Sequence, residues 1–258
     1  MNNLESTFFP VSLEMVYHPG ANDITGWEDT KYRYVMRNDT NEILSIVTKD
    51  YQLVENEKLV EAIMPSIDSF GGKLIECKLF GDGARVQYRF QFSDKKVTIL
   101  DQDDLIPEVV IKNSYDGSTA ITVMAGAFRL VCTNGMVIGQ IVDYFRNRHL
   151  TDVDVSKLND IIQSTIEKTI TYLNEKVVRL AEIKPVKEQH IIDVIQLFPE
   201  RMMERAMEHI IRNKPKNYWD LLNITTNIAT HNMNREAEST HKLEQKFLPA
   251  IMKMAKLK

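Results

Sequence analysis

Near Asp154 the apolar residues of this chain change their spacing, and that change restricts the fold more than any other feature. Upstream they fall in short runs that alternate with polar residues. Downstream they recur every three or four positions. The first period is that of strands with one buried face, the second that of amphipathic helices. Over 85–92, Val86, Tyr88, Phe90 and Phe92 alternate with Arg85, Gln87, Arg89 and Gln91, which predicts a sheet with one wet face.

Other strand-like pieces lie at 32–36, 43–47 and 51–54, the first two separated by the turn formers Arg37-Asn-Asp-Thr-Asn41. Asn56 reads as an N-cap for a helix carrying Leu59, Val60, Ile63, Met64 and Ile67, closed by Gly71-Gly72. Strands resume at 74–79 and 84–92 around Gly81-Asp-Gly83. A hairpin follows, with 109–112 and 120–124 flanking Tyr115-Asp116-Gly117. The small and apolar stretch 126–139 fits a buried strand or a short helix equally well. From Leu158 to Leu180 a long amphipathic series runs toward Pro185, and shorter helices are expected at 186–197, 200–212, 216–232 and 235–255. The expected architecture is α+β: an antiparallel sheet domain built from hairpins with an intervening helix over 1–150, and a helical part over 151–258 packed on it.

The chain's 258 residues are enough for a sizeable core, and 43% apolar with 26% charged residues is an ordinary globular balance. The first residues lack a basic region leading into an apolar run, and nowhere do about 18 apolar residues follow one another. The expectation is a cytoplasmic protein with no membrane partner. Cys77 and Cys132 stand far apart without a CxxC or a nearby histidine pair, so neither a disulfide framework nor a metal site is expected, and no cofactor motif is present. The net charge of −4 divides unevenly: 15 Lys+Arg face 21 Asp+Glu up to residue 150, and 17 face 15 beyond it. A polyanion would find the second part electrostatically better.

The most distinctive run is Asn113-Ser-Tyr-Asp-Gly-Ser-Thr119, followed by Arg129-Leu-Val-Cys-Thr-Asn-Gly135. With the long helix after them and Trp219-Asp-Leu-Leu-Asn-Ile-Thr-Thr-Asn-Ile-Ala-Thr-His231, these runs resemble the phage/plasmid-like protein family, a domain of unknown function common on phages, plasmids and prophages. The resemblance spans roughly Thr48 to His231. It implies a mobile-element origin and supplies no catalytic residues.

Asn113–Thr119 reads first as a hairpin turn, and second as a hydroxyl and backbone cradle for a phosphate or base, with Arg129 adding charge and Asn134 nearby. Cys132, flanked by Leu130 and Val131, reads as a packed thiol. Asn223, Asn227 and His231 align on one helix face, either as a solvated stripe or as a row of groups reading a nucleic acid. Arg85 and Arg89, with Arg33 and Arg37 if their strands are neighbours, offer a basic platform with Tyr32 or Tyr34 for stacking; the plainer reading is a sheet surface with cross-strand ion pairs.

No nucleophile with its base, carboxylate pair or metal cluster occurs at recognisable spacing, so an enzyme is the least supported class and no catalytic residue is named. The favoured expectation is a nucleic-acid transaction protein that binds or anneals single strands, with contacts at Arg85, Arg89, Arg129, Asn134, Asn227 and His231. Its order of hairpins then helices is that of ring-forming annealing proteins, an analogy that adds a homo-oligomer. The alternative is a host-takeover or anti-defence protein that binds a host protein.

Overall fold

In the computed structural model, which describes residues 4–19, 27–100, 103–129, 137–149, 157–231 and 237–257, the alternating run becomes strand β5 (Arg85–Gln91). Val86, Tyr88 and Phe90 are buried there while Arg85 is exposed. Upstream are β1 (Val11–Pro19), β2 (Trp27–Arg37), β3 (Glu42–Thr48), helix α1 (Asn56–Ser69) and β4 (Lys73–Phe80). Downstream are β6 (Val97–Leu100), β7 (Asp103–Ser114), β8 (Ile121–Arg129) and β9 (Val137–Asn147). The helices α2 (Leu158–Tyr172), α3 (Arg179–Glu182), α4 (Glu188–Ile195), α5 (Glu200–Asn213), α6 (Tyr218–His231) and α7 (Ala237–Met254) complete an α+β protein.

β1, β2 and β3 form an antiparallel meander, and the order β4-β5-β7-β8-β9, with β6 also paired to β7, makes a second sheet. β2 and β5 therefore belong to different sheets, so the Arg33/Arg37 and Arg85/Arg89 pairs do not lie on neighbouring strands of one sheet. The stretch that reads as strand or helix at 126–139 contributes the end of β8 and the start of β9.

Two compact units are built from interleaved segments. The first comprises Met1–Gln91, Val109–Met124 and Tyr144–Thr165, and the second Phe92–Glu108, Ala125–Asp143 and Ile166–Lys258.

In the first unit Phe9, Val11, Val35, Val47, Tyr51 and Tyr115 form one apolar cluster. The Arg37 guanidinium lies 4.0 Å from the Phe9 ring centre, a cation–π contact. Gly83 approaches the same ring: at φ +104°, a Cβ there would stand 2.9 Å from Phe9 Cζ, so glycine is required on both counts. Helix α1 buries Leu59, Val60, Ile63 and Ile67. It ends where Gly72 N–H reaches the Ile67 carbonyl at 2.8 Å and Gly71 adopts φ +72°, a left-handed stop. Asn56 differs from its expected role. It is the first residue of the helix, and its side chain caps nothing because it is drawn into the interior. Pro65 lies inside α1, and the buried Ser66 that follows it is tied to Asn159: its N–H donates to Asn159 Oδ1 at 3.0 Å, with the Ser66 hydroxyl 2.8 Å from the Asn159 carbonyl.

In the second unit the helical residues Leu180, Val194, Phe198, Ile210, Leu222, Ile228, Phe247 and Ile251 pack with Val97, Ile99 and Leu105 in one core. Trp219 is fully buried there and its indole N–H donates to Asp103 Oδ2 at 2.7 Å. Asn217 caps α6 by accepting the Asp220 amide at 2.7 Å, and Asp220 reaches back to the Lys216 amide at 2.9 Å. The long helical series bends through a wider turn at Leu173–Val177, where Val178 N–H bonds the Leu173 carbonyl at 3.2 Å.

Candidate functional site

The Asn113–Thr119 run divides its labour. Its first three residues face inward. Asn113 Nδ2 donates to the Val54 carbonyl at 2.8 Å and to Asn56 Oδ1 at 2.9 Å, and Asn56 Nδ2 donates in turn to the Thr7 carbonyl at 3.1 Å. The Asn56 amide donates to the Tyr115 phenol oxygen at 2.9 Å. The Thr7 hydroxyl gives its proton to the Leu4 carbonyl, so the Tyr88 phenol, 2.7 Å away, is the donor to Thr7. This buried network ties the N-terminal turn, the start of α1 and β7 together without a repeating ladder.

The last residues of the run make the hairpin tip. Asp116 Oδ1 accepts the Ser118 amide at 2.9 Å, Gly117 sits at φ +68°, and the Ser114 hydroxyl donates to the Thr119 carbonyl at 2.6 Å. That is an Asx turn, the plainer of the two readings. The tip nevertheless borders two clefts.

The larger cleft, about 370 Å³, is lined by Tyr32, Thr48, Tyr51, the tip residues Asp116, Gly117 and Thr119, and Arg146, Arg148 and His149. Its floor is a stacked pair, with the His149 and Tyr51 rings 4.9 Å apart and 20° from parallel. Two hydrogen bonds clasp His149 to Gln52: the Gln52 amide donates to the His149 carbonyl at 2.6 Å, and His149 Nδ1 lies 2.9 Å from the Gln52 carbonyl. A carbonyl only accepts, so Nδ1 carries the proton and Nε2 presents a lone pair. His149 is 4% exposed and Nε2 has no hydrogen-bond partner. Burial holds the imidazole below its usual pKa, against the opposing pull of the Gln52 carbonyl and Asp116, and keeps the ring neutral. Burial likewise pushes the Tyr51 phenol up, and its hydroxyl donates to the Ser114 carbonyl at 2.5 Å. Arg146 and Arg148 are exposed at the rim beside Tyr32, which is 42% exposed.

The smaller cleft, about 200 Å³, is lined by Phe80, Arg85, Val86, Gln87, Lys112, Asn113 and Thr119. Thr119 borders both. Arg85 Nε stands 3.4 Å from Asp116 Oδ2, linking the tip to β5. Among the described residues that line the two clefts, Arg85, Lys112, Arg146 and Arg148 face the single carboxylate of Asp116.

Of the three residues named from the sequence whose side chains are described, Arg85, Arg89 and Asn227, only Arg85 lines these clefts. Arg89 is directed to its cross-strand neighbour Glu76, 3.5 Å away. Arg129 ends β8, but its side chain is outside the described ones, and Asn134 lies outside the described residues altogether. Asn227 is half-buried on α6 in the second unit, and the His231 side chain is again outside those described. On the same helix Trp219, Leu222 and Ile228 are buried, while Asn223 keeps a buried Oδ1 without a partner, so the stripe is not wholly solvated. Tyr32, named for stacking, does reach the site. Sequence reasoning passed over Arg146, Arg148 and His149, although cations two residues apart at a strand end mark one face of that strand. Cys77 is half-buried, and burial raises its thiol pKa, which leaves it a poor nucleophile.

Among the described residues no group of three His, Cys, Asp or Glu side chains is placed to hold a metal, and no helix is long and apolar enough to cross a membrane.

These features define an α+β protein with a basic, aromatic-floored pair of clefts around one hairpin tip. The chain belongs to the family described as a domain of unknown function, DUF932, whose model matches residues 43–247. Two relatives from Escherichia coli strain K12, UPF0380 protein YfjQ and UPF0380 protein YafZ, are each 40% identical to it over 48 residues. That stretch is 19% of this chain and 18% of either relative, so the match spans less than a fifth of their length. No solved structure matches the chain.

Proposed function

We propose that this protein binds single-stranded nucleic acid without chemistry of its own, and does so across the β7–β8 hairpin tip. The supporting observation is the set of four cations and one carboxylate that lines the paired clefts, with an exposed tyrosine at the rim. Phosphates on a strand favour such a set, and an aromatic face beside it accepts bases with little regard to sequence. Arg85 and Lys112 serve one side of the tip, Arg146 and Arg148 the other. The exposed Tyr32 ring at the rim suits an unpaired base, which argues for a single strand. The resemblance of Asn113–Thr119 and Arg129–Gly135 to phage/plasmid-like proteins suggests the setting, which is protection or annealing of strands during the life of a mobile element.

Fluorescence anisotropy with short single- and double-stranded oligonucleotides at two salt concentrations tests this. The expected result is single-strand preference with affinity falling as salt rises, the slope easing by ~0.7 for each phosphate contact removed with Arg146→Ala or Arg148→Ala. Absence of binding at low salt overturns it.

One observation favours a second reading. Ile43 and Ile46 on β3, opposite Met36 and Tyr34 of β2, are 54% and 58% exposed, and apolar exposure of this kind suits a protein partner. On that reading the chain binds a host protein, and Ile43→Lys, outside the lining of both clefts, abolishes co-purification while leaving oligonucleotide binding intact.

A further inference from the structure

The larger cleft contains one group that its own fold leaves unsatisfied. His149 is almost fully buried, its Nδ1–H is committed to the Gln52 carbonyl, and its Nε2 has no partner. A buried lone pair without a donor costs free energy, and structures retain such groups where something else supplies the bond. The clasp to Gln52 and the stacking on Tyr51 fix the ring, so it cannot turn to find a partner within the chain. What it accepts must carry an N–H or O–H. A bare anion does not meet that need. Arg146 and Arg148 on the rim call for the opposite, an acceptor with negative charge. Tyr32 and the Thr48 and Thr119 positions complete a lining that is part aromatic and part hydroxyl. A volume of about 370 Å³ is enough for one such mixed ligand.

We propose that the cleft is a pocket for one nucleotide, its phosphate held by Arg146 and Arg148, its ring against Tyr32, and an N–H or O–H of the base or sugar donated to His149 Nε2, which is closed to solvent in the free protein and is uncovered as the ligand seats. This rests on the nucleic-acid reading above and sharpens it: the strand is not only tracked along its phosphates but has one unit seated. Specificity follows from the tautomer. Because Nε2 only accepts while the ring is neutral, the pocket discriminates a nucleotide, whose charge and donor sit on separate groups that reach the arginines and Nε2 together, from inorganic phosphate, whose charge and O–H share one small ion, and from a nucleoside, which brings donors but no charge.

The test uses the full chain and adenosine monophosphate, inorganic phosphate, adenosine and a single-stranded DNA oligonucleotide as separate probes. Calorimetry is expected to show the monophosphate binding at least ~10-fold tighter than phosphate or adenosine, the scale of one charge-assisted hydrogen bond. A histidine-selective nitrogen NMR spectrum is expected to show His149 as the Nδ1–H tautomer in the free protein, with Nε2 moving when the monophosphate is added. The double variant Arg146→Ala/Arg148→Ala, at exposed positions, is expected to lose the monophosphate without a change in melting temperature. His149→Phe keeps the ring and is expected to erase the preference over phosphate; if it fails to fold, the spectrum of the unaltered protein still decides.

Monophosphate binding that leaves Nε2 unmoved overturns the pocket. Oligonucleotide binding with no monophosphate binding overturns it too, while leaving the strand reading in place. Monophosphate binding without oligonucleotide binding upholds the pocket and removes the strand. If neither probe binds, both fall.

Discussion

The two compact units bury polar groups in opposite ways. In the second unit several serve regular structure: Thr225 and Thr226 bond back to carbonyls of α6, and Asn217 caps it. In the first unit they hold irregular chain. Thr7, Asn56, Asn113, Ser114 and Tyr115 pin the N-terminal turn and the 51–56 segment to the β7–β8 hairpin, and His149 pins Gln52. A helical core holds its shape by packing, whereas a cleft lined by loops needs each loop fixed separately. The difference locates the site: the unit that spends hydrogen bonds on non-repeating segments is the one that encloses the clefts.

Variants can break this contrast. Trp219→Ala strikes the packed core of the second unit. It removes a fully buried indole and the bond to Asp103, and a loss of ~3–5 kcal/mol in urea unfolding is expected. A loss as small as that of a surface substitution would mean that the helical core does not depend on this residue. Asn113→Ala strikes the pinned network. The Val54 carbonyl and Asn56 Oδ1 lose a donor in a buried place, for an expected ~1–3 kcal/mol. Oligonucleotide affinity is expected to fall with it, since the hairpin tip loses its anchor. Unchanged affinity in a destabilised variant would separate the network from the cleft.

A third outcome concerns pH. Burial lowers the His149 pKa in the folded chain below the ordinary value of 6.5, so the unfolded chain takes up this proton first as pH falls. The stability held by the neutral ring is complete above 6.5 and is lost progressively below it, toward the lower folded pKa. Unfolding midpoints measured across this window should fall more steeply for the unaltered chain than for His149→Phe. Equal slopes would show that His149 titrates as it does in water. The smallest effect belongs to Arg89→Ala. Its partly exposed pair with Glu76 contributes at most ~1 kcal/mol, and no change in strand binding is expected. A clear loss of binding would extend the interface onto the β4–β5 face.

Much of the fold was legible because period reports burial directly. The 85–92 alternation, the helices ended by Gly71-Gly72, Pro185, Pro199 and Pro215, and the Asp116-Gly117 turn all appear near their expected places. β1 was not read, since its pattern slips at a register irregularity between Met15 and Tyr17, and β6 has only four residues. Asn56 misled because a residue that suits a cap also suits a buried network, and local sequence does not tell the two apart. The site was less legible than the fold. Its lining comes from positions 32, 46–51, 116–120 and 146–149, brought together by pairing between distant strands rather than by any local spacing. Arg85 and Tyr32 were visible by type and alternation. His149 was not, because its importance lies in a bond made to Gln52, 97 residues earlier.

The tie between Ser66 of α1 and Asn159 carries a consequence for how the chain assembles as it is made. The amide and hydroxyl of Ser66 are completed by Asn159, 93 residues downstream, so this helix leaves the ribosome long before its last hydrogen bonds can close. The 109–124 hairpin and the 144–165 segment of the same unit also arrive late, with residues of the other unit synthesised between them. Non-local contacts of this kind slow folding and prolong the time during which unpaired strand edges are exposed. The first 91 residues therefore wait as an incomplete half, and synthesis must pass Asn159 before that half can lock.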